Sequence, residues 1–160
     1  MLLWYVGLSV LLTANIFRSS GVDYRLVGIG SLLPLVVDLP FGERSVGHTL
    51  LFPVALLVIV MVVTIDRPRL LRRRLLCIPI GVFWGLVLSG AFTQSDTFFW
   101  PLAASSFPGE SLLPAWWVVA LEELAGLAAC WWTVGQFDLY LPAPRAEFRR
   151  TGHLRETSPP

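Results

Sequence analysis

Four side chains in this sequence could carry acid–base or metal chemistry from within apolar surroundings: Asp38, His48, Glu122 and Glu123. Asp38 and His48 lie in GSLLPLVVDLPFGERSVGHTLLF, between apolar segments, and Glu122 and Glu123 lie inside the apolar run that begins at Leu112. Carboxylates and imidazoles so close to hydrocarbon are costly, which makes all four candidates for a catalytic role. Asp38 and His48 are also the candidate metal ligands. A catalytic zinc usually takes three protein ligands and keeps one position open for water, so Glu122 or Glu123 would have to complete such a site from across the structure. If the site is inactive, no cofactor is expected; if it is active, a divalent metal such as zinc is. Each residue also has a structural reading. His48 suits a hydrogen-bonded position near a helix start, Asp38 a turn or helix-end acceptor, and Glu122 an interhelical strut. Signatures of common soluble enzymes (GxSxG, HExxH, a phosphate-binding glycine loop, CxxC) are absent from the sequence.

The elements that must position these residues follow from composition. With 160 residues, 55% hydrophobic and 14% charged, and a mean hydropathy of +0.68, the chain is far more apolar than soluble domains, in which about 25% of residues are charged. It is expected to be an all-α integral membrane protein, a bundle of about five transmembrane helices. Residues 1–140 form the transmembrane helical domain, and 141–160, with prolines and no apolar period, form a disordered cytoplasmic tail. All twelve basic residues are arginine, as in a GC-rich bacterium, and the location is the bacterial plasma (inner) membrane. Arg67, Arg69, Arg72, Arg73 and Arg74 crowd one short loop, and Arg145, Arg149, Arg150 and Arg155 lie in the tail. Arginine-rich short loops stay in the cytoplasm, which puts the N-terminus outside, the C-terminus inside and Arg44 on the outer side. Bases and aromatics do not interleave, so no nucleic-acid partner is expected. Cys77 and Cys130 read as small apolar packing residues.

Residues 1–17 form the first span. Residues 26–39 form a second that is short, about 21 Å at helical rise, and interrupted by Pro34, so it is either a broken, tilted helix or a re-entrant hairpin. Residues 46–65 make the third, with His48 in its first turn, and 75–92 the fourth. Gly81, Gly85 and Ser89 line the fourth at four-residue steps, a small-xxx-small stripe suited to close contact with another helix, with other membrane proteins or with a second copy. The segment 93–111 is an outer interfacial loop. The last span, 112–135, carries Trp116–Trp117 and Trp131–Trp132 about 22 Å apart, which matches two aromatic belts. Glu122 shares a face with Ala115, Ala125, Gly126 and Ala129 and is expected to turn toward the bundle more than Glu123 does.

The order of short motifs GSLLP with Asp38 after it, GHTLLF, the arginine loop, GVFWGLVLSGAFT, FFWPL and LEELAG resembles that of the bacterial inner-membrane metal-dependent hydrolase-like family, the LexA-binding inner-membrane hydrolases. The resemblance implies a ligand set: a histidine near the N-terminus, a Pro-Asp pair, a histidine opening the next span and a His-x-x-x-Asp pair in the span after the loop. This chain keeps His48 and a displaced acid, Asp38. It has Tyr5, Leu35, Gly85 and Ser89 at the other positions. The reading is therefore a degenerate member that has kept the membrane scaffold and lost the metal centre, a non-catalytic scaffold or interaction protein with the lipid bilayer as its first partner. Two alternatives remain: a metal-dependent membrane hydrolase acting on a lipid or lipid-linked substrate, and a proton-linked transporter or channel subunit.

Overall fold

A computed structural model describes residues 1–17, 21–103, 106–109 and 111–154. Arg155, which entered the charge pattern above, lies outside the described residues. Among the described residues the regular elements are all helical, apart from an isolated bridge between Glu43 and Ser111. Its helices are α1 (Leu2–Phe17), α2 (Tyr24–Asp38), α3 (Leu51–Val63), α4 (Arg69–Leu75), α5 (Cys77–Leu88), α6 (Ser95–Phe98), α7 (Trp116–Gln136) and α8 (Pro142–Thr151), with 3₁₀ turns at Val46–His48 and Ala91–Thr93. Among the described residues, α7 is the one helix long and apolar enough to cross a membrane unaided; α1 and α3 are apolar but shorter.

The centre of the fold is α2, and its main partner is α5. Glycines let the two backbones touch: a Cβ on Gly81 would overlap the Val27 carbonyl oxygen, one on Gly85 the Ser31 carbonyl oxygen, and one on Gly30 the Ile78 carbonyl oxygen. The order of these contacts shows that α2 and α5 run in the same direction. The small-residue stripe on α5 is thus used within the chain, with Gly81 and Gly85 buried against α2. Ser89 falls at the C-terminal cap of α5, where its hydroxyl bonds the Leu86 carbonyl. The expected break in residues 26–39 does not occur. Residues Tyr24–Asp38 form a single helix through buried Pro34. A proline removes one intrahelical bond, but α5 packs closely against the helix up to that position, with Gly85 against Ser31 and Pro34.

The second pair is α1 with α7, also running in the same direction. Gly7 lies against the Gly126 carbonyl and Cys130, Gly126 lies against Leu3 and Trp4, and Gln136 Nε2 reaches Asn15 Oδ1 farther along. Against α2, α1 is reversed: Gly28 meets Val6 and Val10, and Tyr24 packs with Ala14 and Val10. The third apolar helix, α3, exposes most of its side chains, Val58, Ile59, Val62 and Val63 among them. His48 does not sit in the first turn of this helix, as expected; it ends a separate 3₁₀ turn before α3 begins at Leu51.

The tail corrects a second expectation. Residues 142–154 are not disordered: Pro142 opens α8, a position that needs no backbone donor, and Gly152 ends it with φ +76°. Leu154 then enters a core with Ala14, Tyr24 and Phe137, flanked by Phe148. The Gly152 carbonyl accepts from Tyr24 N at 2.9 Å, and Arg25 Nη1 donates to the Arg149 carbonyl at 2.7 Å. Beneath this contact Asp23, 1% exposed, accepts from Arg25 at 3.2 Å and from Arg74 Nη2 at 3.0 Å. Burial alone would raise the Asp23 carboxyl, but the hydrogen bonds from Arg25 and Arg74 outweigh it and hold the group below the usual carboxylate range.

Two predictions follow from the packing and this ion network. Gly81→Ala should destabilise the fold by about 1–3 kcal/mol through overpacking, whereas Ser89→Ala should stay within about 0.5 kcal/mol, both read by thermal melting of the purified protein. Because the folded Asp23 carboxyl titrates low, its contribution is complete above the ordinary carboxylate pKa and is lost as pH falls through the folded value. The stability advantage of wild type over Asp23→Asn should therefore be constant near neutrality and shrink below about pH 4.

Candidate functional site

Asp38 is the last residue of α2, and the chain returns to it within a few residues. The turn after α2 places Gly42 at φ +69°, and the following 3₁₀ turn brings Ser45, Gly47 and His48 around the carboxylate. Oδ1 accepts from Ser45 Oγ at 2.6 Å and Gly47 N at 2.9 Å. Oδ2 accepts from Ser45 N at 2.7 Å and is 2.7 Å from His48 Nδ1. Asp38 is 0% and His48 2% exposed. Glycine is needed at position 47, because a Cβ there would lie 2.6 Å from the Pro34 carbonyl oxygen and 2.8 Å from Asp38 Oδ1.

This geometry has two chemical consequences. A carboxylate offers about four lone-pair directions, and here each oxygen already serves two neighbours, so Asp38 organises the 45–48 turn and has little left for a metal. The contact also engages Nδ1 of His48, so in the neutral imidazole with Nδ1–H donating, the free lone pair is on Nε2. Asp38 and His48 therefore meet as a buried carboxylate–imidazole pair.

The two glutamates do not join them. Glu123 receives the N-terminus of α1: its Oε1 accepts from Leu2 N at 2.7 Å and pairs with the Met1 ammonium, and its Oε2 accepts from Leu3 N at 3.0 Å. A carboxylate over unpaired N–H groups complements the positive end of a helix dipole. Glu122 stands half-buried next in sequence, with Oε2 enclosed and unpartnered. The face expected to turn inward does so at Gly126 and Ala129, which are buried, while Ala115 and Ala125 are exposed. Gly126 is four residues from Glu122 and three from Glu123, so the seam against α1 runs between the two and both reach it. Among the described residues no group of three or more His, Cys, Asp and Glu side chains could hold a metal ion.

Arginine 44, which the sequence marked only by its side of the bundle, proves central here. Its Nη1 donates to Gln94 Oε1 and its Nη2 to the Ser89 carbonyl, both at 3.1 Å, so it caps the C-terminus of α5. Trp4 Nε1 donates to the adjacent Leu88 carbonyl at 3.1 Å. Tyr5, at one of the positions where the resembled family has a ligand, is 3% exposed on α1. The chain matches no family model, no curated protein and no solved structure. The likeness to the hydrolase-like family therefore rests on the order of short motifs. A cavity of about 670 Å³ lies elsewhere, lined by Asn15, Trp131, Trp132, Gly135 and Gln136, and includes none of the candidate residues.

Sequence reasoning missed Ser45 and Gly47 as partners of Asp38. The signal was present as a small polar residue and a glycine just before the histidine, the composition of a tight turn around an acceptor. If Asp38 organises this turn, Asp38→Ala should cost about 3–5 kcal/mol, because it removes the buried partner of His48 and three other donors together. His48→Ala should cost about 1–3 kcal/mol, since it removes a single donor. Thermal melts of both variants at neutral pH give the order.

Proposed function

We propose that this chain is a multi-pass protein of the bacterial inner membrane that acts as a non-catalytic scaffold or interaction protein. The observation that carries the non-catalytic part is the saturation of Asp38: the turn that carries His48 occupies both carboxylate oxygens. A catalytic zinc site asks for three ligands and an open position, and Tyr5, Gly85 and Ser89 stand where the resembled family would supply the rest. Two features support the membrane reading. Large apolar side chains are exposed along α3 and along α7, including Leu57, Ile59, Met61, Leu121, Leu124 and Leu127, as surfaces that face lipid are. The described arginines gather at the end of the bundle that carries Asp23, and Arg44 is alone among them at the Asp38 end, the asymmetry expected across a bilayer.

A specific observation keeps a second reading. With Nδ1 held by Asp38, His48 has the orientation that bases and metal-bound imidazoles share. A membrane hydrolase acting on a lipid or lipid-linked substrate through His48 is that reading.

The two are separated by elemental analysis of protein purified without chelator. The scaffold reading expects less than a tenth of an equivalent of zinc, manganese or iron, unchanged in His48→Ala. One equivalent of tightly held metal in wild type, lost in His48→Ala while the variant still folds, establishes the hydrolase. Membrane residence is tested separately by resistance to alkaline carbonate, and sidedness by cysteine labelling. Phe41→Cys should react from outside intact cells and Arg69→Cys only after permeabilisation, each compared with the wild-type background of Cys77 and Cys130.

A further inference from the structure

Helix α3 is pinned at both ends and stands away from the bundle in between. At the Asp38 end the amide of Leu50, just before α3, donates to the Phe98 carbonyl at 2.9 Å. At the arginine end Arg72 of α4 holds the close of α3, its Nη2 donating to the Thr64 carbonyl at 2.7 Å and to the Ile65 carbonyl at 3.0 Å. A groove of about 390 Å³ runs between these clamps, walled by Phe17 of α1, Val54 and Leu57 of α3, and Ile80, Phe83 and Trp84 of α5. Its lining is hydrophobic throughout.

Size decides what kind of group fits. Leu50 and Leu57 bracket about 10 Å of α3 at helical rise. A second helix over that length, about 10 Å across, would fill about 800 Å³, twice what the groove offers. No glycine, alanine or serine lines the groove, so it also lacks the small residues that let membrane helices approach. An extended hydrocarbon chain needs neither the width nor the small residues, and it brings no polar group into an apolar wall.

Charge decides what the chain is attached to. The groove reaches the arginine end of the bundle at Phe17 and Ile80, where residues 66–75 hold five arginines and one acid, Asp66. Arg72 and Arg74 are engaged by Thr64 and Asp23. Arg69 and Arg73, four residues apart on one face of α4, are exposed. The Arg73 guanidinium lies against Gly21, where a Cβ would overlap it, and Gly21 follows Phe17 by four residues, at most about 14 Å of chain. The Arg73 carbonyl accepts from Cys77 Sγ at 3.5 Å, one turn before Ile80. Arg73 is thus tied to both elements that form this end of the groove.

We propose that the groove between α3 and α5 holds an acyl chain of an anionic phospholipid, with the headgroup phosphate on Arg69 and Arg73. Guanidinium groups match phosphate oxygens in charge and geometry, and basic side chains beside a span favour anionic over zwitterionic lipid. The proposal rests on the membrane reading and adds to it a bound ligand of stated chemistry.

The full-length protein is placed in nanodiscs of equal parts phosphatidylglycerol and phosphatidylcholine with identical acyl chains, and native mass spectrometry reads the lipid that stays bound. Wild type should retain phosphatidylglycerol about fivefold or more over phosphatidylcholine, since each basic residue near anionic lipid is worth about a factor of five. Replacing both arginines, Arg69→Gln with Arg73→Gln, should abolish that preference. Leu57→Trp fills the groove and should strip bound lipid of both kinds, whereas Val62→Trp, at a position 60% exposed on α3, should keep the wild-type ratio. A phosphatidylglycerol with a photoactivated group in its acyl chain then locates the site. Its adducts should concentrate on residues 50–57 and 79–84 and not on the exposed face of α7, and this labelling of wild type decides alone if a variant fails to fold. Retention without headgroup preference, or label spread evenly over α3, α5 and α7, overturns the proposal. A native dimer whose groove takes no label gives the groove to a second copy and overturns it too. A chain that resists alkaline carbonate yet shows no preference fails here alone; one released by carbonate fails the membrane reading, and the lipid site with it.

Discussion

The backbone-to-backbone contact between α2 and α5 is the constraint on which the rest of this structure depends. Gly30, Gly81 and Gly85 bring the two helices so close that their carbonyl oxygens occupy the space side chains would need. Small residues at such a seam maximise dispersion contact and permit weak Cα–H···O bonds, the kind of packing that holds helices together where no hydrophobic driving force separates them from their surroundings. With α2 fixed, both of its ends are fixed as well. Its first turn carries the Asp23 network to α4 and α8, and its last residue, Asp38, gathers the turn that leads into α3.

The two ends solve the same problem by different means. A helix leaves its last carbonyls unpaired, and here arginines answer them repeatedly: Arg72 for α3 through Thr64 and Ile65, Arg145 beyond α7 through Leu139 and Tyr140, Arg25 for α8 and Arg44 for α5. At the arginine-rich end those contacts are joined by a buried acid, Asp23, whose charge two guanidiniums neutralise. At the other end the buried acid is Asp38, whose partners are a hydroxyl, two amides and an imidazole. The first arrangement is an ion network that binds a terminal helix to the bundle. The second is a cage of side-chain and backbone donors that folds the 45–48 turn onto the end of α2.

The candidate site was only half legible before the structure. Asp38 and His48 stood out because ionisable groups are rare in apolar sequence, and they do meet. Glu122 and Glu123 stood out for the same reason, yet they belong to the α1–α7 seam, because which face of α7 turns inward depends on where α1 lies and not on α7's own periodicity. Arg44 and Asp23 drew little notice as site residues because charges in loops are ordinary; only the return of the chain shows that each lies beneath a helix end.

Composition and period by themselves determined that this protein is helical, that its apolar runs lie near residues 1–17, 26–39, 46–65, 75–92 and 112–135, and that its arginines segregate, since those properties depend on local side-chain chemistry summed along the chain. Tertiary structure alone decided three further points. Helix α2 runs unbroken through Pro34 because α5 braces it. The 142–154 segment folds because Phe148 and Leu154 find a core that distant residues build, a gain no local window contains. Asp38 became an organiser of the His48 turn because Ser45 and Gly47 reach it only when the chain doubles back, and the number of donors around a carboxylate is a property of that return path.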